Sequence, residues 1–299
     1  VERRSRIFSA LRWAAAGATR PVAVAAILLA AAGASRTAAC QAPSYTIDAV
    51  RYGTIREFPV SALVMGAPSD ERIDIAMVLW LIRGEGRVVL FDSGFFRSRW
   101  FERFEVDDYL RPDSALAEAG VAPGNVTDVI VSHAHWDHMG GIALFPGARV
   151  HIQREEYLYY TGPAWSEGGR HGGIDEDDVL ALVERNLAGR VILLEGDDVE
   201  VLPGIRAYTG ARHTYASQYV RVGGAQPFVL ASDNCYLFRN LDTGSAGATF
   251  DPTDRPANEE ALARMARLAG AASRVIPGHD ALQFRRFPTV GRVARIRGS

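Results

Sequence analysis

Three imidazoles and a carboxylate, His133, His135, Asp137 and His138, stand within six consecutive positions of the run Val131-Ser132-His133-Ala134-His135-Trp136-Asp137-His138-Met139-Gly140-Gly141. Ring nitrogens and carboxylate oxygens are the donors that borderline divalent cations take. In an extended chain alternate side chains point the same way, so His133 and His135 can grip one ion, while a turn after them aims Asp137 and His138 elsewhere. Two neighbouring metal positions follow. The bland alternative is a group of solvent-exposed or hydrogen-bonded histidines, but this spacing seldom arises by chance in a chain with seven histidines.

Such a cluster needs a scaffold. An apolar run at residues 126–131 leads directly into it and reads as a strand that delivers ligands from its end. Residues 75–82 and 88–91 flank Arg83-Gly84-Glu85-Gly86 and predict a hairpin with a four-residue loop. Residues 191–194, 228–231 and 275–276 are further apolar runs too short for helices. Between them, residues 175–188 place Val179, Leu182, Val183 and Leu187 at helical spacing, with acidic residues first and Gly189 as the stop. Residues 256–269 repeat the pattern with Leu262, Met265 and Leu268, ended by Gly270. Strands and hairpins with intermittent helices predict a mixed-sheet α/β fold covered by helices.

Composition narrows the chemistry. The chain has 299 residues, 48% hydrophobic and 23% charged, with a net charge of −2, which fits one packed domain and offers no basic surface for nucleic acid. All the basic side chains are arginines, since no lysine occurs, and this removes Schiff-base chemistry and a Walker-type phosphate lysine. Residues 1–42 read as a leader: Arg3, Arg4, Arg6, Arg12 and Arg20 precede an apolar run at 22–34 and small residues up to Cys40. That run falls short of the ~18 residues a membrane span requires. A secreted protein, periplasmic or extracellular, is therefore expected, with Arg3-Arg4 as a possible twin-arginine signal and Cys40 as a possible lipid anchor, the only expected membrane contact. With only Cys40 and Cys235 present, no disulfide framework is expected. The mature domain is placed at 43–299, as a monomer or homodimer.

The stretch from 129 to 141 resembles the signature of the metallo-β-lactamase superfamily, and the resemblance extends over most of the chain beyond the leader. It implies an αββα sandwich of two mixed sheets covered by helices. It also implies two later histidines and a bridging aspartate, and His213, Asp233 and His279 occur in the right order. By this resemblance His133, His135 and His213 hold a first divalent metal, Asp137, His138 and His279 a second, and Asp233 bridges them. Donors without cysteine suit zinc, with iron, manganese or cobalt as alternatives. Asp92, in Leu90-Phe91-Asp92-Ser93-Gly94, resembles an aspartate that supports the metal loops from behind.

Within the superfamily the sequence is most similar to N-acyl-homoserine lactonases. Asp233-Asn234-Cys235-Tyr236 sets a tyrosine three residues after the bridging aspartate, where those enzymes turn a phenol toward the substrate carbonyl. The expected activity is opening of a small-molecule lactone by a quorum-quenching hydrolase, with Asp137 and Tyr236 as catalytic side chains. Tyr215 and Ala216 stand where those lactonases usually have proline and glycine, so other esters, organophosphates, thioesters and β-lactams remain alternative substrates. A redox di-iron protein is disfavoured by His135, and an exported, non-enzymatic zinc-binding protein is the remaining rival. Residues 95–101 and 157–173, rich in aromatic side chains and in the second case glycine, are candidates for shaping an acyl pocket.

Overall fold

The computed structural model describes residues 43–298. The expected leader, with Cys40, lies outside them. Thirteen strands form two sheets. The first runs β12 (Thr289–Val290), β13 (Val293–Arg297), β1 (Tyr45–Pro59), β2 (Arg72–Gly84), β3 (Arg87–Phe91), β4 (Asp128–Ile130), β5 (Arg149–Gln153), β6 (Val191–Leu194). It is antiparallel up to β3 and parallel from β3 to β6. The second runs β11 (Val275–Pro277), β10 (Phe228–Ser232), β9 (Gln218–Val222), β8 (Ile205–Thr209), β7 (Val199–Leu202), with only the β10–β11 pair parallel.

The side-chain period of two explains how these strands make three apolar layers. Along β2, Ile75, Met77, Leu79 and Leu81 enter the layer under the helices of the first sheet, while Ala76, Val78, Trp80 and Ile82 enter the layer between the sheets. Along β10, Phe228 and Leu230 face the inter-sheet layer, and Val229 and Ala231 pack on the helix Arg255–Ala269 through Leu262 and Met265. Every face of both central strands is thus buried, which is why they read as continuous hydrophobic runs. The result is an α/β sandwich of two mixed sheets with helices outside.

Local signals account for the element ends. Asp175 caps the helix Glu176–Leu187, its side chain accepting the Asp177 N–H at 3.0 Å, and Gly270 ends the helix Arg255–Ala269 with φ 72°. The hairpin between β2 and β3 is tighter than the sequence predicts. Gly84 pairs with Arg87, so the loop is Glu85-Gly86 with φ of 50° and 70°, a two-residue turn whose twist matches the strands, rather than four residues. Two aromatics of 95–101 are packing residues rather than walls of the cavity beside the histidines: Phe95 packs edge-on against Trp136 at 4.5 Å, and Trp100 stacks on Trp136 at 4.7 Å. They buttress the segment that carries the histidine cluster.

This topology brings carboxyl ends together. The loops after β3, β4, β8, β10 and β11 carry Asp92, the histidine cluster, His213, Asp233 and His279, and all open at one end of the sandwich.

Trp80 is fully buried between the sheets against Phe91, and its ring N–H has no hydrogen-bond partner among the described residues. Trp80→Phe removes that orphaned donor and only part of the volume, whereas Trp80→Ala leaves a cavity. Denaturant titration should give a loss of about 3–5 kcal/mol for alanine and less than half of that for phenylalanine. Equal losses would contradict this account of the core.

Candidate metal centre

Beyond the end of β4 at Ile130 the chain bends at Ser132 and again at Ala134 and His135, and then enters a single helical turn, Trp136–Met139. Asp137 and His138 therefore leave in a different direction from the first two histidines. The structure brings all seven expected donors together in two groups: His133, His135, His213 and Asp233, and beside them Asp137, His138 and His279. In the first group Nδ1 of His135 lies 3.0 Å from Nε2 of His133 and 2.9 Å from Nε2 of His213. In the second, Nε2 of His138 lies 3.4 Å from Asp137 Oδ2, and Nε2 of His279 lies 3.7 Å from the same oxygen.

Asp233 faces both. Its Oδ2 lies 3.2 Å from His213 Nε2 and 3.8 Å from His133 Nε2, while its Oδ1 lies 3.0 Å from His279 Nε2 and 3.3 Å from His138 Nε2. One carboxylate thus offers one oxygen to each group. Gly278 makes this possible, since a Cβ there would stand 2.9 Å from Asp233 Oδ1 and 2.8 Å from the Ser232 carbonyl.

Four of the far ring nitrogens are tied down, and the acceptor oxygens of Asp92 and Ala76 fix the tautomers of His138 and His279. His138 Nδ1 is 2.8 Å from Asp92 Oδ2, His279 Nδ1 is 3.0 Å from the Ala76 carbonyl, and His133 Nδ1 is 2.8 Å from Ser132 Oγ. His213 Nδ1 is 3.0 Å from the Tyr236 hydroxyl. Asp92, held at φ 62°, also accepts from Ser132 N at 2.7 Å and from the hydroxyls of Ser132 and Ser232 at 2.9 and 2.8 Å. It supports the cluster from behind, as its sequence context implies. Tyr236 is buried, with its hydroxyl 2.6 Å from Thr249 Oγ1 as well as against His213.

The donors fit a cation. His138 Nε2 and Asp233 Oδ1 are buried and, though only 3.3 Å apart, make no well-directed hydrogen bond among the described residues, an arrangement costly for a protein without an ion. Burial, and then the charge of neighbouring imidazoles, pushes the pKa of His133 well below the ordinary histidine value and that of His135 down to about 3, so both stay in the neutral, ligating form. Burial also opposes protonation of His138 and His279, but facing carboxylates outweigh it, Asp137 foremost for His138 and Asp233 foremost for His279, and hold both pKa values up. Those protons must leave when a metal enters, so binding competes with acid.

Glu156 is the functional residue that sequence reasoning missed. Fully buried, it accepts Ala134 N–H at 2.8 Å and the Thr214 hydroxyl at 2.7 Å on one oxygen, and Ala216 N–H at 2.6 Å on the other. It therefore joins the backbone between His133 and His135 to the loop of His213. Nothing in Arg154-Glu155-Glu156 distinguishes it from an ordinary charged surface run.

A cavity of about 370 Å³ opens against His135 and His213. Tyr159 and Tyr160 line it, as the sequence suggests for their segment, while Trp165 does not.

Comparison with known proteins agrees with this geometry. The sequence model of the metallo-beta-lactamase superfamily matches residues 78–279. An N-acyl homoserine lactonase from Bacillus sp is 27% identical over 219 residues, covering 71% of this chain and 77% of that protein. The fold superimposes on B. thuringiensis AiiA, solved as a mutant with N-decanoyl-L-homoserine at its active site, with a TM-score of 0.66 at 20% identity over 82% of this chain and 96% of that one. AidC, a dizinc quorum-quenching lactonase, superimposes with a TM-score of 0.60 at 17% identity over 81% and 89% of the two chains. At these identities the structural likeness speaks for the fold alone.

Glu156→Gln keeps the size of the side chain but sets an NH2 group where one of two backbone N–H donors must be accepted. Affinity for divalent metal at the His133, His135 and His213 position should fall roughly 10- to 100-fold, measured by competition with a chromogenic chelator. Unchanged affinity would remove Glu156 from the support of the centre.

Proposed function

The chain belongs to the metallo-beta-lactamase superfamily, and from that premise we propose that it is a dinuclear hydrolase that opens lactone rings, with N-acyl-homoserine lactones as the substrate class. It is a metal-dependent hydrolase by family. The observation that carries the dinuclear reading is Asp233, whose two oxygens face two separate sets of imidazoles. Zinc is the proposed metal, since the donors are imidazole and carboxylate with no thiolate among them.

Bound in this cage, a pair of divalent ions supplies Lewis acidity and makes water a nucleophile near neutral pH. The chain's own groups do the rest. His133, His135 and His213 hold one side of the site, and Asp137, His138 and His279 the other, with ring orientations locked by Ser132, Asp92, Tyr236 and the Ala76 carbonyl. A water oxygen bonds to the lactone carbonyl carbon and the ring C–O bond breaks. The water's proton passes through Asp137 to the departing alkoxide, which becomes the free hydroxyl of the product.

Tyr236 adds a second polarising group. With His213 ligating through Nε2, its Nδ1–H donates to the phenol oxygen, and the phenol's own proton points to Thr249 at the cavity wall. A substrate carbonyl can take the place of Thr249 as acceptor. Burial raises the Tyr236 pKa well above the ordinary phenol value, so the proton stays available for donation.

The decisive experiment pairs a substrate panel with metal analysis on reconstituted protein, for the wild type and for Tyr236→Phe. Two metals per chain, with acyl-homoserine lactones or simple γ-lactones preferred over nitrocefin, paraoxon and a thioester, are expected. Tyr236→Phe should keep its metals and lose about tenfold or more in kcat. Preference for any other ester class would overturn the lactone assignment, and metal without turnover on every ester would leave a binding protein.

We also propose that residues 1–42 act as an export leader, placing the enzyme in the periplasm or outside the cell, with Cys40 as a candidate lipid attachment point. Mass spectrometry of the protein recovered from expressing cells tests this. A mature chain beginning near residue 40 is expected, and an intact leader would contradict export by cleavage.

A further inference from the structure

We propose that the cavity beside the metal centre is an aryl-acyl subsite: it accepts a substrate whose acyl side is a flat aromatic group and gives no advantage to a long alkyl chain. This rests on the lactone-opening reading and names the part of the substrate that reading leaves open.

The cavity shares His135 and His213 with the metal centre, so it adjoins the reacting carbonyl, and we assign to it the acyl group carried on the carbon beside that carbonyl. Its other walls contain no aliphatic side chain, no phenylalanine and no methionine. An alkyl chain entering it would find only the tyrosine rings to pack against, and along the rest of its length it would cover hydroxyls, carboxylates and guanidinium groups.

What the walls do offer is flat π surface. Tyr159 and Tyr215 stack face to face, with centroids 4.0 Å apart and planes 7° from parallel, and the guanidinium of Arg212 lies over the Tyr215 ring at 5.5 Å. Tyr215 is 39% exposed, although it belongs to this stack. An aromatic ring can extend such a stack by offset or edge contact with phenol or guanidinium, and its edge can meet the polar rim. The rim does not select a net charge, because Arg170 and Arg212 face Asp251 and Asp254 around the same cavity, with Arg170 paired to Asp251 at 3.7 Å. The volume, about 370 Å³, is at the small end for ligand pockets and has room for an aromatic acyl group. Tyr159 is itself fixed, its hydroxyl accepting Arg170 N–H at 3.0 Å. The stack is thus formed before substrate arrives.

The test compares kcat/KM of the metal-loaded protein across butanoyl-, hexanoyl-, octanoyl- and decanoyl-homoserine lactones and the phenylacetyl and 4-hydroxybenzoyl analogues. In an apolar channel each added methylene would raise kcat/KM by about fourfold. Here the alkyl series should stay within about threefold, and the aryl substrates should exceed hexanoyl by about tenfold. Tyr215→Ala with Arg212→Ala should lower the aryl-to-hexanoyl ratio at least threefold, with circular dichroism and melting temperature confirming that the variant folds. Calorimetric binding of the ring-opened products, phenylacetyl-homoserine against decanoyl-homoserine, needs no turnover and should favour the aryl product. A steady climb with chain length, or tighter binding of the decanoyl product, overturns the subsite. If no lactone is opened but the calorimetric preference holds, the subsite stands and the lactone assignment falls.

Discussion

The carboxylate of Asp92 is the joint on which the centre hangs. It is fully buried at the end of β3, and it accepts from the backbone and hydroxyl of Ser132 after β4, from the hydroxyl of Ser232 at the end of β10, and from the ring of His138. β3 and β4 belong to one sheet and β10 to the other, so one side chain ties the two layers together at the point where the donors meet. A buried anion is tolerable only when its lone pairs are spent in this way. The positive φ values of Asp92 and Ser232, 62° and 47°, are backbone strain held in place by that network.

Around this joint the two halves of the centre are supported differently. The group containing His138 and His279 is oriented through ring nitrogens by Asp92 and by the carbonyl of Ala76, in the middle of β2. The group containing His135 and His213 is oriented through the main chain, because Glu156 holds the peptide before His135 and the loop after His213. His135, at the bend that leads into the helical turn Trp136–Met139, alone among the histidine donors meets its partners through Nδ1.

Much of this was legible in the sequence because the residues that touch a metal are chemically rare. Six consecutive positions with three histidines and an aspartate announce themselves, and the order of His213, Asp233 and His279 follows by resemblance. The supporting layer was only partly legible. Asp92 carries a glycine-turn context, but Glu156 lies in a charged run, and Ser132, Ser232 and Thr249 are residue types found in any loop. The strands buried on both faces were evident as apolar runs, whereas β12 has two exposed residues and the alternation in β7 and β13 spans only four and five residues, too few to stand out from a loop. The aromatics of 95–101 show the opposite ambiguity, since a packing cluster and a pocket wall have the same composition. Only the tertiary placement of Trp136 decides between them.

The donors are spread along the chain. His133 to His138 are made together, but His213, Asp233 and His279 follow at intervals. Synthesis therefore exposes a partial chelate well before the cage can close, and an ion caught there waits for the remaining loops to reach it. Closing those loops costs chain entropy, and a bound ion's affinity would offset part of that cost, so metal binding would add to the stability of the folded chain. The metal supply of the compartment in which folding finishes would then govern how much protein reaches the native state, quite apart from how fast each molecule works.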